Sequence, residues 1–83
     1  MERVIFRKWR GKSGDVIALF PDIKTDVGGY LCQSYEHVGQ HAAADYGLVV
    51  GLTAPAQPAE YADLAAELRE IGYDLDIRKR RPS

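Results

Sequence analysis

Apolar residues recur with different periods along the chain, and these periods predict which segments form strands. Residues 2–10 contain the β-formers Val4, Ile5 and Phe6, and a turn with two glycines and a serine follows at 11–14. An uninterrupted apolar run at 16–20 predicts a hairpin partner, residues 15–20, which is covered on both faces and ended by Pro21. The chain is therefore expected to begin its fold with a β-hairpin.

The middle of the chain predicts two further strands around a short helix. Residues 30–35 mix polar and apolar side chains, and residues 48–52 are apolar, so both segments are predicted to be strands. Residues 40–46 are predicted to form two helical turns that end at Gly47 in a left-handed cap. The polar, turn-rich segment 21–29 is predicted to be an exposed loop.

The last third of the chain carries the strongest helical pattern. Pro58 suits a first helical position and Gly72 lies just past an end, which predicts a helix at 58–71. Its buried stripe is predicted at helical spacing. The residues of that stripe are Tyr61, Leu64, Leu68 and Ile71. Apolar and charged residues then alternate at 73–77, which predicts a half-buried final strand.

These elements predict an α+β fold in the order β-β-β-short helix-β-α-β. We expect a single antiparallel sheet of four to five strands with one long helix packed on one face. A chain of 83 residues is expected to form one domain, here residues 1–79, followed by a disordered basic tail at 80–83. The lone Cys32 cannot form an internal disulfide, and no run of the sequence is apolar enough for a signal peptide or a membrane span. A cytoplasmic protein without a cofactor is expected.

The charges are separated along the chain although the net charge is only −1. Residues 1–12 carry five cations and one anion, residues 78–83 carry four cations, and residues 13–77 carry two cations against eleven anions. If the two basic ends form neighbouring strands, their cations can gather into one anion-attracting patch.

The basic ends predict an anion or nucleic-acid patch. Its residues are Arg7, Lys8, Trp9, Arg10, Arg78, Lys79 and Arg80. Guanidinium groups hold phosphate while an indole ring stacks a base, so nucleic-acid binding is one hypothesis. The alternative is that Trp9 belongs to the core and the tail cations only keep the chain soluble. A pI near 6.1 does not favour general nucleic-acid binding, and a local site for a small anion is compatible with it.

A second candidate site lies between residues 37 and 46. His37, His41 and Asp45 are four residues apart, a spacing that places metal ligands on one helical face, and Cys32 or Glu36 is the nearest fourth ligand. Gly39 weakens a helix across this segment, so metal binding and hydrolysis are kept as alternative interpretations. Another alternative is that these side chains only form hydrogen bonds with the loop backbone. The remaining interpretation is a ligand pocket. That pocket would be lined by His37, Gln40, His41, Asp45 and Tyr46.

Four stretches of the sequence are similar to a family of small uncharacterised bacterial and phage proteins. They are VIALFP at 16–21, SYEHVGQH at 34–41, ADY at 44–46 and IGYDL at 71–75. The resemblance implies no particular activity, and it makes a small regulatory or counter-defence binding role an expectation. Gln57 departs from the family pattern, which has threonine before the helix-opening proline, and this predicts a looser helix start by about 0.5 to 1 kcal/mol.

The sequence therefore favours a non-enzymatic binding module that recognises a protein or a small anionic ligand. Neither a Gly-x-Ser-x-Gly elbow nor a glycine-rich phosphate loop is present, so no reaction class is indicated. The alternatives are a metal-dependent or hydrolytic enzyme at the histidines and a nucleic-acid binder at the basic ends. No membrane partner is expected, and a homodimer through an edge strand is compatible with the sequence.

Overall fold

The computed structural model describes residues 2–10, 15–25, 31–36 and 40–79, with the side chains of residues 40–43 outside that description. The described chain is α+β, as predicted, but it contains six strands and two helices. In chain order these are β1 (Glu2–Trp9), β2 (Val16–Lys24), β3 (Leu31–Glu36), β4 (Gln40–Asp45), α1 (Tyr46–Leu52), β5 (Thr53–Pro55), α2 (Pro58–Glu70) and β6 (Leu75–Arg78). The predicted turn at 11–14, residues 26–29 of the predicted loop, His37 and the tail 80–83 lie outside the described residues, whereas residues 21–24 of that loop belong to β2.

One sheet carries all six strands in the order β4-β3-β2-β1-β5, with β6 also paired to β1. Strands β1 to β5 pair antiparallel, whereas β6 runs parallel to β1 from Glu2 opposite Leu75 to Ile5 opposite Arg78. The prediction of a purely antiparallel sheet is therefore wrong at this pair, because α2 returns the chain to β1 as a crossover connection. The two basic ends are neighbouring strands, as the charge pattern predicted.

The sheet curls because a short helix links strands far apart in its order. Four strand spacings separate β4 from β5, which is roughly 19 Å in a flat sheet. Helix α1 has seven residues and spans roughly 10 Å. The connection can be made only if β4 bends round toward β5.

Two apolar clusters cover the two faces of the sheet. Alternate residues of β2 enter different clusters: Phe20 packs on the α2 side, whereas Ile17 and Leu19 pack on the α1 side. This alternation confirms that β2 is covered on both faces. The strand does not end at Pro21 as predicted; it runs to Lys24 with an irregular register after Phe20, and bulges are where sheets accept proline.

The segment from 40 to 52 differs most from the prediction, since its strand and helix are exchanged. Residues 40–46 were expected to be helical, but Gln40–Asp45 pairs with β3 along its whole length. Residues 48–52 were expected to be a strand, but they lie in α1. Asp45 accounts for the boundary, because its Oδ1 accepts a hydrogen bond from the Leu48 backbone N–H at 3.1 Å and caps the helix.

Helix α2 confirms the prediction at both ends. Pro58 occupies the first turn, and Gly72 follows the helix with a φ of 113°, a backbone conformation that glycine adopts without a Cβ penalty. Leu64 and Leu68 are buried in the α2-side cluster, whereas Ile71 is 53% exposed, so the buried stripe ends one turn earlier than predicted. Among the described residues, no helix is long and apolar enough to cross a membrane.

Candidate anion-binding cleft

A cleft forms where β5 and β6 meet along the same edge of β1. Strand β6 pairs with β1 only as far as Ile5, and β5 begins its pairing at Arg7, so Phe6 lies at the junction. The chain leaving β5 stays attached there, because the Ala56 N–H donates to the Phe6 carbonyl at 3.2 Å. Helix α2 then starts directly above this junction.

The walls of the cleft combine apolar and polar surface in nearly equal parts, and its volume is about 490 Å³. Phe6 is almost fully buried, and its ring stacks on Tyr61 with centroids 4.5 Å apart and planes inclined by 10°. The lining residues are Phe6, Pro55, Ala56, Gln57, Pro58, Tyr61, Ile77, Arg78 and Lys79. Cavities of this size that combine apolar walls with a few polar groups are typical of small-ligand sites.

Two consecutive cations at the end of β6, Arg78 and Lys79, are among the residues that line the cleft. Arg78 binds Asp76 through two hydrogen bonds, Nε to Oδ1 at 3.0 Å and Nη2 to Oδ2 at 2.8 Å. These bonds raise the pKa of the Arg78 guanidinium and lower the pKa of the Asp76 carboxyl. Lys79 follows and is exposed. Because the Arg78–Asp76 pair lies at the surface, water screens it and another anion can replace Asp76 at little cost.

The first turn of α2 beside the cleft already holds an acidic group. Glu60 Oε1 accepts from the Gln57 backbone N–H at 2.9 Å, and its Oε2 lies 2.6 Å from Lys8 Nζ. The Lys8 contact, followed by the Gln57 hydrogen bond, lowers the pKa of Glu60. The Glu60 carboxylate makes this helix terminus unfavourable for a second anion. Glu60 also supplies a cap that the sequence-based expectation of a loose helix start did not include.

The predicted basic patch is only partly assembled. Arg7 is buried and hydrogen-bonded inside the fold, and Lys8 is tied to Glu60. Trp9 is half-buried and packs against the α1-side cluster, which agrees with the core interpretation of this residue. Arg10 is exposed at the end of β1 and does not line the cleft, and Arg80 lies outside the described residues. Among the patch residues that the structure describes, Arg78 and Lys79 alone line the cleft.

The histidine hypotheses stay predictions, although the helical argument for them no longer applies. His41 lies in β4 opposite Tyr35, where residues four apart are separated by roughly 13 Å along a strand. Asp45 and Tyr46 begin α1, and Asp45 caps it. Within the described part of the chain, no three His, Cys, Asp or Glu side chains cluster at metal-binding distance. His37 and the side chains of Gln40 and His41 are outside this statement.

The apolar half of the cleft was not predicted from the sequence. The sequence predicted Phe6 as a β-former of the first strand, Tyr61 in the buried stripe of the helix and Ile77 in a half-buried strand. Their convergence depends on pairings between distant segments. The one local signal was the position of Arg78 and Lys79 directly after an alternating strand. Comparison with known protein families, curated proteins and solved structures finds no match for this chain. Membership of the bacterial and phage family therefore stays a prediction.

Proposed function

We propose that this protein is a small cytoplasmic binding module without catalytic activity, and that its ligand is a small molecule with an anionic group and a flat apolar body. The observation that carries the proposal is the cleft at the β5–β6 junction, in which Phe6, Tyr61 and Ile77 meet Arg78 and Lys79.

The shape of the cleft supports a flat ligand. Phe6 is almost fully buried and stacks on the Tyr61 ring, so the half-buried Tyr61 ring is held in position and needs no rearrangement before binding. Aromatic surfaces of this kind prefer offset stacking or edge-on contact with another ring. A planar ring system is therefore the favoured body of the ligand.

The charge of the cleft supports an anion. The middle of the chain is acidic and repels anions, so cationic groups at one cavity give that cavity a selective attraction. Arg78 presents a planar donor fork that suits a carboxylate or a phosphate, since it already holds the Asp76 carboxylate in that geometry.

Titration of ¹⁵N-labelled protein with 1-naphthoate, followed by amide chemical shifts, tests the proposal. We expect saturable shifts at Phe6, Ala56, Tyr61 and Ile77, whereas the neutral 1-naphthamide should bind at least about fivefold more weakly because it lacks the charge. Equal binding of the two compounds, or shifts confined to other regions, would contradict the anionic cleft.

Three variants at or beside the cleft and one matched control sharpen the test. Arg78→Gln and Lys79→Gln should each weaken 1-naphthoate binding about three- to tenfold. Arg69→Gln removes an exposed cation at the opposite end of α2 and should leave binding unchanged. In Asp76→Asn the internal competitor for Arg78 is neutral, so binding should become tighter. Weaker binding by Asp76→Asn would show that the anion does not replace Asp76.

A further inference from the structure

Helix α1 presents an outward face that the fold leaves uncovered. Val49 is buried against the sheet, and Tyr46 and Val50 are half-buried beside it. The opposite arc of roughly 140° holds two leucines and two glycines. These are Gly47, Leu48, Gly51 and Leu52, all exposed, with Leu48 at 61% and Leu52 at 53%. We name these four residues the α1 outer face.

This face is unusual because it has no charge and no large polar group. An exposed helix face normally carries polar side chains, and adjacent exposed leucines mark contact surfaces. The uncharged stretch extends from Tyr46 to Ala59, the longest such run in the chain. A second copy of this acidic domain can approach here without facing like charges.

The two glycines are not required by the fold of one chain. A Cβ at Gly51 would meet no atom within 4 Å, and a Cβ at Gly47 would meet only Asp45 Oδ1 at 3.7 Å. Glycine is the least favourable residue of a helix interior apart from proline. The free-energy cost of a glycine in a helix is offset where the backbone of another segment must pack closely against that helix.

The charges at the ends of α1 favour a partner helix that runs in the opposite direction. Asp45 caps the start of α1 and is exposed. At the other end, the cationic Arg7 donates to the Val50 and Thr53 carbonyls and to the Thr53 hydroxyl, and these partners, which lie among the described residues, are uncharged. An antiparallel copy of α1 brings the Asp45 carboxylate of each chain to the cationic end of the other helix.

We propose that the α1 outer face is the contact between two copies of this protein related by a two-fold axis. In the antiparallel register centred between Val49 and Val50, Leu48 of each copy lies over Gly51 of the other, and Leu52 lies over Gly47. Each leucine thus fits above a position without a side chain, and the contact is self-complementary, as two-fold symmetry requires.

The size of the face sets the strength of the dimer. A helix of seven residues offers much less than the roughly 800 Å² per partner that stable interfaces bury. We therefore expect a reversible dimer with a dissociation constant on the order of 100 µM. Such a dimer is populated only at high protein concentration.

Sedimentation equilibrium between about 10 µM and 1 mM tests the proposal. The wild-type protein should shift from monomer to dimer. Gly51→Gln adds a neutral side chain into space that is open in the monomer, so it should weaken dimerisation at least tenfold without lowering the melting temperature. Leu48→Gln should weaken it similarly. Ala66→Gln changes an exposed residue of α2 and should dimerise like wild type.

Charge is tested separately with Asp45→Asn, which keeps a good helix cap and removes the negative charge. We expect about threefold weaker association at low salt and little difference at 1 M salt. A wild-type protein that stays monomeric at 1 mM overturns the proposal, as does a dimer unaffected by Gly51→Gln and Leu48→Gln. Equal association by Asp45→Asn at low salt overturns the antiparallel arrangement. Binding of phosphatidylcholine vesicles through Leu48 by a monomeric wild type would assign the face to lipid instead.

Discussion

Arg7 and Thr53 form a buried polar contact between β1 and the end of α1. The Arg7 Nε donates to Thr53 Oγ1 at 2.9 Å, and the same hydroxyl donates to the Val49 carbonyl at 2.7 Å. Arg7 Nη2 reaches the Thr53 and Val50 carbonyls at 2.9 and 3.1 Å. A single guanidinium thus binds the Val50 carbonyl in the last turn of α1 and two oxygens of Thr53, and it holds the α1–β5 connection against the first strand.

Removing the Thr53 hydroxyl should therefore destabilise the protein more than removing its methyl group. Thr53→Val leaves a buried Arg7 donor without its acceptor, so we expect the free energy of unfolding to fall by about 1 to 3 kcal/mol. Thr53→Ser keeps the hydroxyl and should cost less, about 1 kcal/mol. Urea unfolding measures both. A Thr53→Val protein as stable as Thr53→Ser would contradict this account of Arg7.

Leu68 and Ile71 should respond very differently to truncation, although the sequence pattern places them on one stripe. Leu68 is fully buried in the α2-side cluster, so Leu68→Ala should lower the free energy of unfolding by about 2 to 5 kcal/mol. Ile71 is 53% exposed, and Ile71→Ala should cost less than about 0.5 kcal/mol. Chemical denaturation of the two variants compares them directly. Similar losses would mean that α2 buries its last turn in solution.

Gly72 should resist replacement even though no neighbouring atom blocks a side chain there. A Cβ at this position would meet nothing within 4 Å, so the cost comes from its φ of 113° alone. Gly72→Ala should reduce the free energy of unfolding by about 1 to 3 kcal/mol. At Gly51, where φ is helical and space is open, alanine should instead stabilise the monomer by up to about 1 kcal/mol. Thermal melts at low protein concentration test this contrast, and a neutral Gly72→Ala would refute it.

Acid should weaken the fold through Glu60 and Asp76. The pKa of each carboxyl is lowered in the folded protein, Glu60 by Lys8 and Asp76 by Arg78, so the unfolded chain binds protons more readily. Their stabilising contribution is present above the ordinary carboxyl range and is lost as pH falls through the lower folded pKa. Between about pH 5 and pH 3, the stability of Glu60→Gln/Asp76→Asn should depend less on pH than that of wild type. Since both ion pairs are exposed, 1 M salt should reduce the difference. If the stability of the double variant and that of the wild type depend equally on pH at low salt, these ion pairs do not form in solution.

The sequence pattern correctly predicted the strands and the helix whose formation depends on residues close together in the chain. The β-formers at 4–6 and the apolar run at 16–20 predicted the β1–β2 hairpin, and Pro58 with Gly72 predicted α2, because backbone preferences at these positions agree with the fold. The segment 40–52 was misassigned since its alanines favour helix and its valines favour strand. The helix preference of the alanines is overridden because β4 pairs with β3. The strand preference of the valines is overridden because Val49 is buried against the sheet from a helix.

Only the charged residues of the candidate cleft could be predicted from the sequence. Arg78 and Lys79 are visible as cations after a strand, but Phe6 and Tyr61 are 55 residues apart in the sequence, and their stacking depends on how β5 and β6 divide the edge of β1. The periodicity of a single sequence does not predict how two strands share one edge of a third. The histidine hypothesis failed to gain support for a related reason, because its spacing argument assumed a helix where cross-strand pairing places a strand.

Strand β1 accepts β2 on one side and both β5 and β6 on the other, so the first of the described strands is completed by the last of them. While the ribosome is still translating the residues between them, the outer edge of an apolar strand is available to other nascent chains. Expression at lower temperature or with a holdase chaperone should therefore raise the soluble yield more than any change at the surface of the finished fold.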